Sequence, residues 1–477
     1  MDFEHSNNAL EDIECDGIIF GSYEDEQSEL YMKFASQIDD VSSFAGFKGK
    51  QEELLVLYKV DGIKAPRVIV AGLGKKSESN HEAVRKGVAL AAKKLRAKGA
   101  QTIAVKALND DAQSSAEGVV LGLYEFDELK SKDKDKFVSK VIFSGNESQQ
   151  ADWNNGVIIA ESQNIARRLA EMPANIGTPT FFVEEAKKYF EGVDKVKLIS
   201  HDVDWAKEKK MGSFLSVTYG SDQPAKFLEL HYQGANPDDQ PTILIGKGIT
   251  FDSGGISIKG SDNMGLMRAD CTGAAIVIAS VLALAKLGVK QNVIGLTPLT
   301  ENMPSGKASR PADVVVASNG KSIEIVSTDA EGRMILADAL VYSETFNPRT
   351  VIDMATLTGS MMVALGEAYV GTYARSDELW NELQEAGNQT FERFWRMPLD
   401  EHYRKKLKST LADMKHTGGR FGGSNIAAMF LGEFINLDRW AHLDIAGVMK
   451  SEKGPYTPDG IPAIPLRGIV QFVRNLS

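Results

Sequence analysis

Cysteine is nearly absent: Cys15 and Cys271 are the two in a chain of 477 residues. So far apart, they suggest neither a disulfide framework nor a cysteine-rich zinc module, and the chain fits a reducing compartment. A basic excess is missing as well. The net charge of −11 argues against a generally basic surface for nucleic acid or anionic lipid. No uncharged apolar stretch is long enough for a membrane span. The longest greasy run, GAAIVIASVLALAKLGV (273–289), carries Lys286 and reads as a buried helix. Residues 1–17, MDFEHSNNALEDIECDG, lack a basic segment followed by an apolar one, so no secretory signal is expected and a cytoplasmic location is. Histidine is sparse: seven, none between positions 232 and 401. The nucleotide-binding signatures G-x-x-x-x-G-K-[ST] and G-x-G-x-x-G are not met by GKG (246–248) or GLGKKSES (72–79). No fixed-period repeat is visible.

What is present is ordinary globular material, 43% hydrophobic and 25% charged, long enough for two or three domains. In the first part, β-rich runs at 54–60, 67–74, 101–107 and 140–145 alternate with an amphipathic helix over 82–99, an α/β layer pattern. A long helix over 154–173 stops at Pro173, and PANIGTPTFF (173–182) punctuates the chain. The expected fold is α/β, with a smaller N-terminal α/β domain (1–150, of oligomer-forming or regulatory role) joined by a linker helix (151–174) to a larger C-terminal domain (175–477) with a central mixed sheet. In that larger part, strands are expected at 226–232, 242–248, 291–299, 350–359, 369–374 and 439–447. Helices are expected at 271–287, 334–345, 376–387 and 425–436.

Two polar stretches stand out. The apolar strand TILIG runs into a Gly-, Ser- and Asp-rich loop (247–273) containing Lys247, Asp252, Lys259 and Asp270. Loops at strand ends of open α/β sheets are where ligands sit. The second is STDAEGRMILADAL (327–340). Positions i and i+2 share a side only in extended chain, so Asp329 and Glu331 are expected in an extended segment, with Gly332 permitting a turn before the helix. With Asp252 and Asp270 they offer four oxygen donors. Packed together, these repel unless a cation neutralises them, and hard oxygen donors suit Mg²⁺, Mn²⁺ or Zn²⁺. Each residue also has a plainer explanation. TDAE matches a capping box, Asp270 could be an N-cap, Asp252 a turn aspartate, and Lys247 and Lys259 solvated lysines. Taken together, the clustering leaves a two-metal hydrolase open beside these.

GKGITFDSGGISIK (246–259) and TDAEGR (328–333) resemble the two signature stretches of the leucyl aminopeptidase (cytosol aminopeptidase) family. MRADCTGAA (267–275), ARRLAEMPANIGTP (166–179) and ATLTG (355–359) are similar to further stretches of it, so the resemblance covers the chain from about residue 160 onward. It implies a metal-dependent hydrolase that releases N-terminal residues, Leu-preferring but broad, from peptides with a free N-terminus, through a hydroxide activated by two metals. Two divalent ions per subunit are implied, Mn²⁺ or Zn²⁺ with Mg²⁺ or Co²⁺ possible. Asp252, Asp329 and Glu331, with the Asp329 carbonyl, resemble the ligands of the more exchangeable metal; Lys247, Asp252, Asp270 and Glu331 those of the tighter one. Lys259 and Arg333 resemble the catalytic residues, with bicarbonate on Arg333 as general base. Met267 and Thr356 match positions lining the pocket for the first side chain, and Leu357 and Gly359 positions offering backbone hydrogen bonds to substrate. The family also implies a homohexamer, a dimer of trimers. Other classes remain: a DNA-binding regulatory protein on the same fold, which the charge disfavours, or a catalytically inactive homologue, which the retained ligands disfavour. Ser327, Met334 and Cys271 depart from the usual Asn, Leu and Met. Cys271 is read as a small buried residue and His442 as a strand histidine satisfied by the core, while His416 is left without a role.

Overall fold

The computed structural model describes residues 1–131 and 137–477. Two units emerge: Met1–Asn164 with Glu452–Asp459, and Ile165–Ser451 with Gly460–Ser477.

The first unit is built on six strands, β1 (Asp2–Ser6), β2 (Gly17–Ser22), β3 (Leu54–Tyr58), β4 (Arg67–Gly72), β5 (Thr102–Lys106) and β6 (Lys140–Ser144), in the order β1-β6-β5-β2-β4-β3. All neighbours are parallel except the edge pair β3–β4. Side chains alternate across a strand, and both faces here are apolar. Ile19, Ile69 and Ala71 enter one buried cluster, whereas Ile18, Phe20, Val68 and Val70 enter another. A parallel sheet covered on both faces requires that continuous hydrophobicity. The helix His81–Ala97 starts where the Asn80 side chain accepts from the amides of Glu82 and Ala83 and ends just before Gly99, whose φ is +79°, the usual left-handed terminator. Residues 452–459 complete this unit. Tyr456 is buried in its core, its hydroxyl lies 2.9 and 3.0 Å from the two carboxylate oxygens of Glu82, and Lys93 donates to the Gly454 carbonyl at 2.7 Å.

The helix Glu147–Glu171 begins earlier than its sequence pattern suggests, and the division between units falls inside it.

The second unit contains β7 (Val196–His201), β8 (Lys226–Gln233), β9 (Thr242–Gly246), β10 (Gly248–Asp252), β11 (Asn292–Asn302), β12 (Val314–Val316), β13 (Ser322–Glu324), β14 (Thr350–Ala355), β15 (Val370–Ala374), β16 (Phe394–Arg396), β17 (Met414–Lys415) and β18 (Trp440–Asp444). The main sheet runs β16-β15-β18-β14-β9-β11-β8-β7; β12, β13 and β17 form a small separate sheet. Its centre, β18-β14-β9-β11, is parallel. β8 and β15 flank that centre antiparallel, so the sheet is mixed. Strands β9 and β10 pair one after the other along β11, and Lys247 sits at the break between them. The apolar run after the Asp-rich loop is the helix Thr272–Lys286, with Thr272–Leu284 fully buried. Glycine lets this helix press onto the sheet backbone. A Cβ on Gly273 would lie 2.2 Å from the Met354 carbonyl oxygen, and one on Gly246 would lie 2.4 Å from that of Gly273.

Candidate metal centre

The site lies at the carboxyl ends of the central parallel strands, where an open α/β sheet leaves its crevice. Lys247 follows β9, Asp252 ends β10, Asn302 ends β11, Thr356 follows β14 and Asp444 ends β18. Lys247 is locked at both backbone ends: its amide donates to Met354 at 3.0 Å and its carbonyl accepts from Ala274 at 2.9 Å. Its side chain runs across Gly332, where a Cβ would come within 2.5 Å of Lys247 Cε. The buried Nζ lies 2.8 Å from Asp270 Oδ1, 3.0 Å from Glu331 Oε1 and 2.9 Å from the Thr356 carbonyl.

The segment 327–333 is not extended, contrary to expectation. Thr328 and Asp329 form a turn, closed by the Ala330 amide on the Ser327 carbonyl at 3.2 Å. Glu331 already has helical angles, φ −71° and ψ −35°, at the entry to the helix Gly332–Ser343. A tight turn, rather than a strand, brings the two carboxylates to one side. Acceptor groups of Asp252, Asp329 and Glu331 lie within 4.8 Å of one another. Thr328 ties the two loops together, its Oγ1 donating to Gly254 at 2.6 Å and accepting from the Ser257 amide at 2.7 Å.

The simpler roles fare unevenly. Glu331 makes no side-chain cap bond. Asp270 is not the N-cap: Cys271 stands there, also without one. Instead Asp270 Oδ1 accepts from Lys247 and, at 2.7 Å, from Thr356 Oγ1, while the buried Oδ2 has no hydrogen-bond partner among the described residues. Asp252 does hold its turn, accepting from Gly254 at 2.9 Å. Its other oxygen meets Lys259 Nζ at 2.7 Å, and Lys259 also pairs with Asp329.

Burial dominates the electrostatics. It lifts the Asp252 carboxyl to about 6, with Glu331 adding repulsion and the two lysines opposing. It pushes Asp270 well above the carboxylate range despite Lys247, and raises Asp329. Glu331 is held below its ordinary value: burial works against it, but Lys247 and Lys259 outweigh that. Burial also disfavours the Lys247 ammonium, yet Asp270, Glu331 and Asp252 together raise it above an ordinary lysine. Lys259 is raised in the same way, by Asp252 and Glu331. Four carboxyl groups thus face two lysines, with burial resisting charge on Asp252 and Asp270, a set of hard oxygen donors that fits divalent cations.

Arg333 is buried. Its Nη1 donates to the His416 carbonyl at 2.9 Å and its Nε has no partner among the described residues. Burial lowers its pKa to about 10, against the pull of Glu331 and Asp444. His416 is engaged at both ring nitrogens: Nε2 with the Ser327 carbonyl at 2.8 Å and Nδ1 with the Val326 amide at 3.2 Å. Nδ1 also lies 3.2 Å from the Glu324 carbonyl, and burial, then Arg333, lower the ring's pKa to about 4, so that it is neutral near pH 7. Cys271 is buried and donates to the Arg268 carbonyl at 3.2 Å. His442 meets Asp353 at 2.5 Å through Nδ1, but its buried Nε2 lacks a hydrogen-bond partner among the described residues, so the core satisfies only half of it. Met267 lies half-buried on the 3₁₀ turn before Asp270, and Gly359 begins the short helix after β14.

Two participants escape a reading by motif. Asn302 Nδ2 donates to Asp252 Oδ1 at 2.7 Å and to the Thr328 carbonyl at 2.9 Å. Asp444 accepts from the amides of Leu357 and Thr358 and from Thr358 Oγ1 at 3.2, 3.4 and 2.6 Å. The Leu357 amide is therefore engaged within the fold. Both residues are polar ends of apolar strands, the same signal that singles out Asp252.

Comparison with known proteins gives the same picture. Residues 164–470 match the family model described as the cytosol aminopeptidase family, catalytic domain, and residues 20–133 match that of its N-terminal domain. The cytosol aminopeptidase of Dictyostelium discoideum is 44% identical over 98% of this chain and 95% of its own. That of Bos taurus is 44% identical over 97% and 93%. Among solved structures, a tomato leucine aminopeptidase mutant superimposes with a TM-score of 0.88 at 30% identity, covering 100% of this chain and 96% of that one. A bottromycin maturation enzyme in complex with Mn gives 0.87 at 31% identity, covering 97% and 99%. The chain belongs to the cytosol aminopeptidase family and is a hydrolase.

Proposed function

We propose that this chain is a di-metal aminopeptidase with a broad preference for Leu and similar residues at the N-terminus of peptides. The observation that carries this reading is the convergence of Asp252, Asp329 and Glu331 beside Asp270, whose Oδ2 is buried and unpaired, and Lys247. These five would hold two divalent ions, Mn²⁺ or Zn²⁺ foremost, with Mg²⁺ or Co²⁺ as further fits; a structural neighbour in complex with Mn supports manganese. Bound there, the ions supply Lewis acidity and lower the pKa of water. Lys247 serves as a ligand only as a neutral amine, so a dication must replace the proton that its carboxylate neighbours now stabilise.

The protein's own groups do the rest. Asp270 lies where a free α-amine is received, which an internal peptide bond lacks. Lys259 extends a second ammonium towards the same cluster and opposes negative charge growing on a carbonyl oxygen. Arg333, with its Nε proton unpaired, fits a planar anion such as bicarbonate, which would accept a proton. His416 cannot take that role with both nitrogens engaged. Met267, adaptable and half-buried, lines the side-chain pocket with Thr356, and Gly359 and the Leu357 backbone bound the substrate path. A homohexamer and a cytosolic location belong to the same reading.

The test is cleavage of Leu-p-nitroanilide and its N-acetylated analogue by metal-stripped protein with Mn²⁺, Zn²⁺ or Mg²⁺ restored. Free-amine substrate alone should be cleaved, only with metal, and not by Glu331→Ala. Cleavage of the blocked substrate, or metal-independent activity, would sink the reading.

A further inference from the structure

Met267 and Asp270 ride on one short element. The turn Met264–Ala269 is a 3₁₀ helix, six residues long where runs beyond three or four are uncommon. It starts from Asn263 in the left-handed region, φ +62°, without a side-chain cap. Its closing bond, Asp270 amide to Met267 carbonyl, is a long 3.3 Å. Such an element needs outside support to hold one geometry. In a 3₁₀ helix residues i and i+3 eclipse, so Met267 and Asp270 share a face and Arg268 lies off it.

Arg268 provides that support. Its Nη2 pairs with Glu171 Oε2 at 2.6 Å, its Nε donates to the Glu171 carbonyl at 3.2 Å and its Nη1 to Gly265 within the turn at 3.0 Å. Glu171 is itself fixed: its Oε1 accepts from the Ile461 amide at 2.7 Å. A Cβ on Gly460 would come within 2.0 Å of that oxygen, so the carboxylate packs on bare backbone. A planar guanidinium gripping a side chain and a carbonyl of one residue is a rigid clamp that a lysine cannot reproduce.

We propose that Glu171 and Arg268 are positioning residues. From behind the site they set the placement of the turn bearing Met267 and Asp270, and with it the selectivity for the substrate's first side chain. The selectivity part rests on the aminopeptidase reading; the clamp itself does not.

The experiment compares wild type, Arg268→Lys, Arg268→Ala and Glu171→Gln in two measurements. Hydrogen–deuterium exchange of metal-free protein over residues 264–270 should speed up in each variant while the helix Thr272–Lys286 stays protected. With Mn²⁺, the Leu-over-Ala preference in kcat/KM should fall about tenfold, and kcat/KM for Leu up to about a hundredfold, Arg268→Lys included. A lowered melting temperature with unchanged exchange at 264–270 and an unchanged Leu-to-Ala ratio would overturn the proposal in favour of a purely structural pair. Should Arg268→Ala not fold, the two conservative variants decide. An inactive wild type would refute the functional reading and the selectivity claim, while exchange would still judge the clamp.

Discussion

At the scale of single residues, like side chains do opposite work because their surroundings differ. Lys247 and Lys259 both neutralise carboxylates, but Lys247 is sealed behind three acceptors and Lys259 remains partly open. On the proposed function, Lys259→Ala should therefore lower kcat by about 10²–10³, as removal of an oxyanion donor does, while Mn²⁺ binding measured by calorimetry persists. His416 carries the clearest pH signature. Its pKa falls from an ordinary 6.5 to about 4 on folding, so the unfolded chain binds the extra proton first. This contribution to stability is complete above pH 6.5 and is lost as pH falls towards 4, about 3 kcal/mol in all. Urea unfolding of metal-free protein from pH 7 to 4.5 should show a steeper loss in wild type than in His416→Gln; parallel curves would refute the assignment.

At the scale of elements, the site depends on glycine as much as on charge. Alanine favours a helix over glycine by up to about 1 kcal/mol, so Gly332→Ala, at the first turn of Gly332–Ser343, looks beneficial by propensity. Its Cβ, however, would sit 2.5 Å from Lys247 Cε and 2.7 Å from Nζ, where the lysine has no free side to move to. Overpacking of that kind costs about 1–3 kcal/mol. The expected outcome is weaker metal binding and at least tenfold lower activity; an unchanged enzyme would show that Lys247 is free to shift. The same elements show what sequence reveals. Strands β9, β11 and β14 and the helix Thr272–Lys286 are plain, because long apolar runs bounded by Gly and Asp have one reading. The signature stretches identify the family directly. β1 and β2 are not evident, being short and set in an acidic, polar terminus whose pairing partners lie far along the chain: β1 pairs β6, Asp2 opposite Lys140, and β2 lies between β4 and β5, Gly17 opposite Ile103. The turn at 328–329 is hidden because alternation alone cannot distinguish a strand from a turn followed by helical angles. Asn302 and Asp444 carry the local mark of a polar residue ending an apolar strand, but the partners they bond are distant in sequence and leave no local trace.

At the scale of the whole molecule, a segment near the C-terminal end belongs to the N-terminal unit. Tyr456 fills a place in its core and reaches Glu82, which also pairs with Arg85 at 2.8 Å. Tyr456→Phe should cost about 1 kcal/mol, one hydrogen bond, and Tyr456→Ala about 3–5 kcal/mol, an emptied aromatic site, both read from chemical denaturation. Equal effects of the two changes would mean that the ring contributes nothing. There is a consequence for synthesis. A ribosome that has finished Asn164 must add nearly three hundred residues before it reaches Tyr456, roughly 15 to 60 s at about 5–20 residues per second. Through that interval the unit of residues 1–164 lacks Tyr456 from its core. Residues 452–459 fill it, so a chain that stalls short of them leaves that unit with an open site in its core, the kind of exposed apolar surface that chaperones and proteases meet.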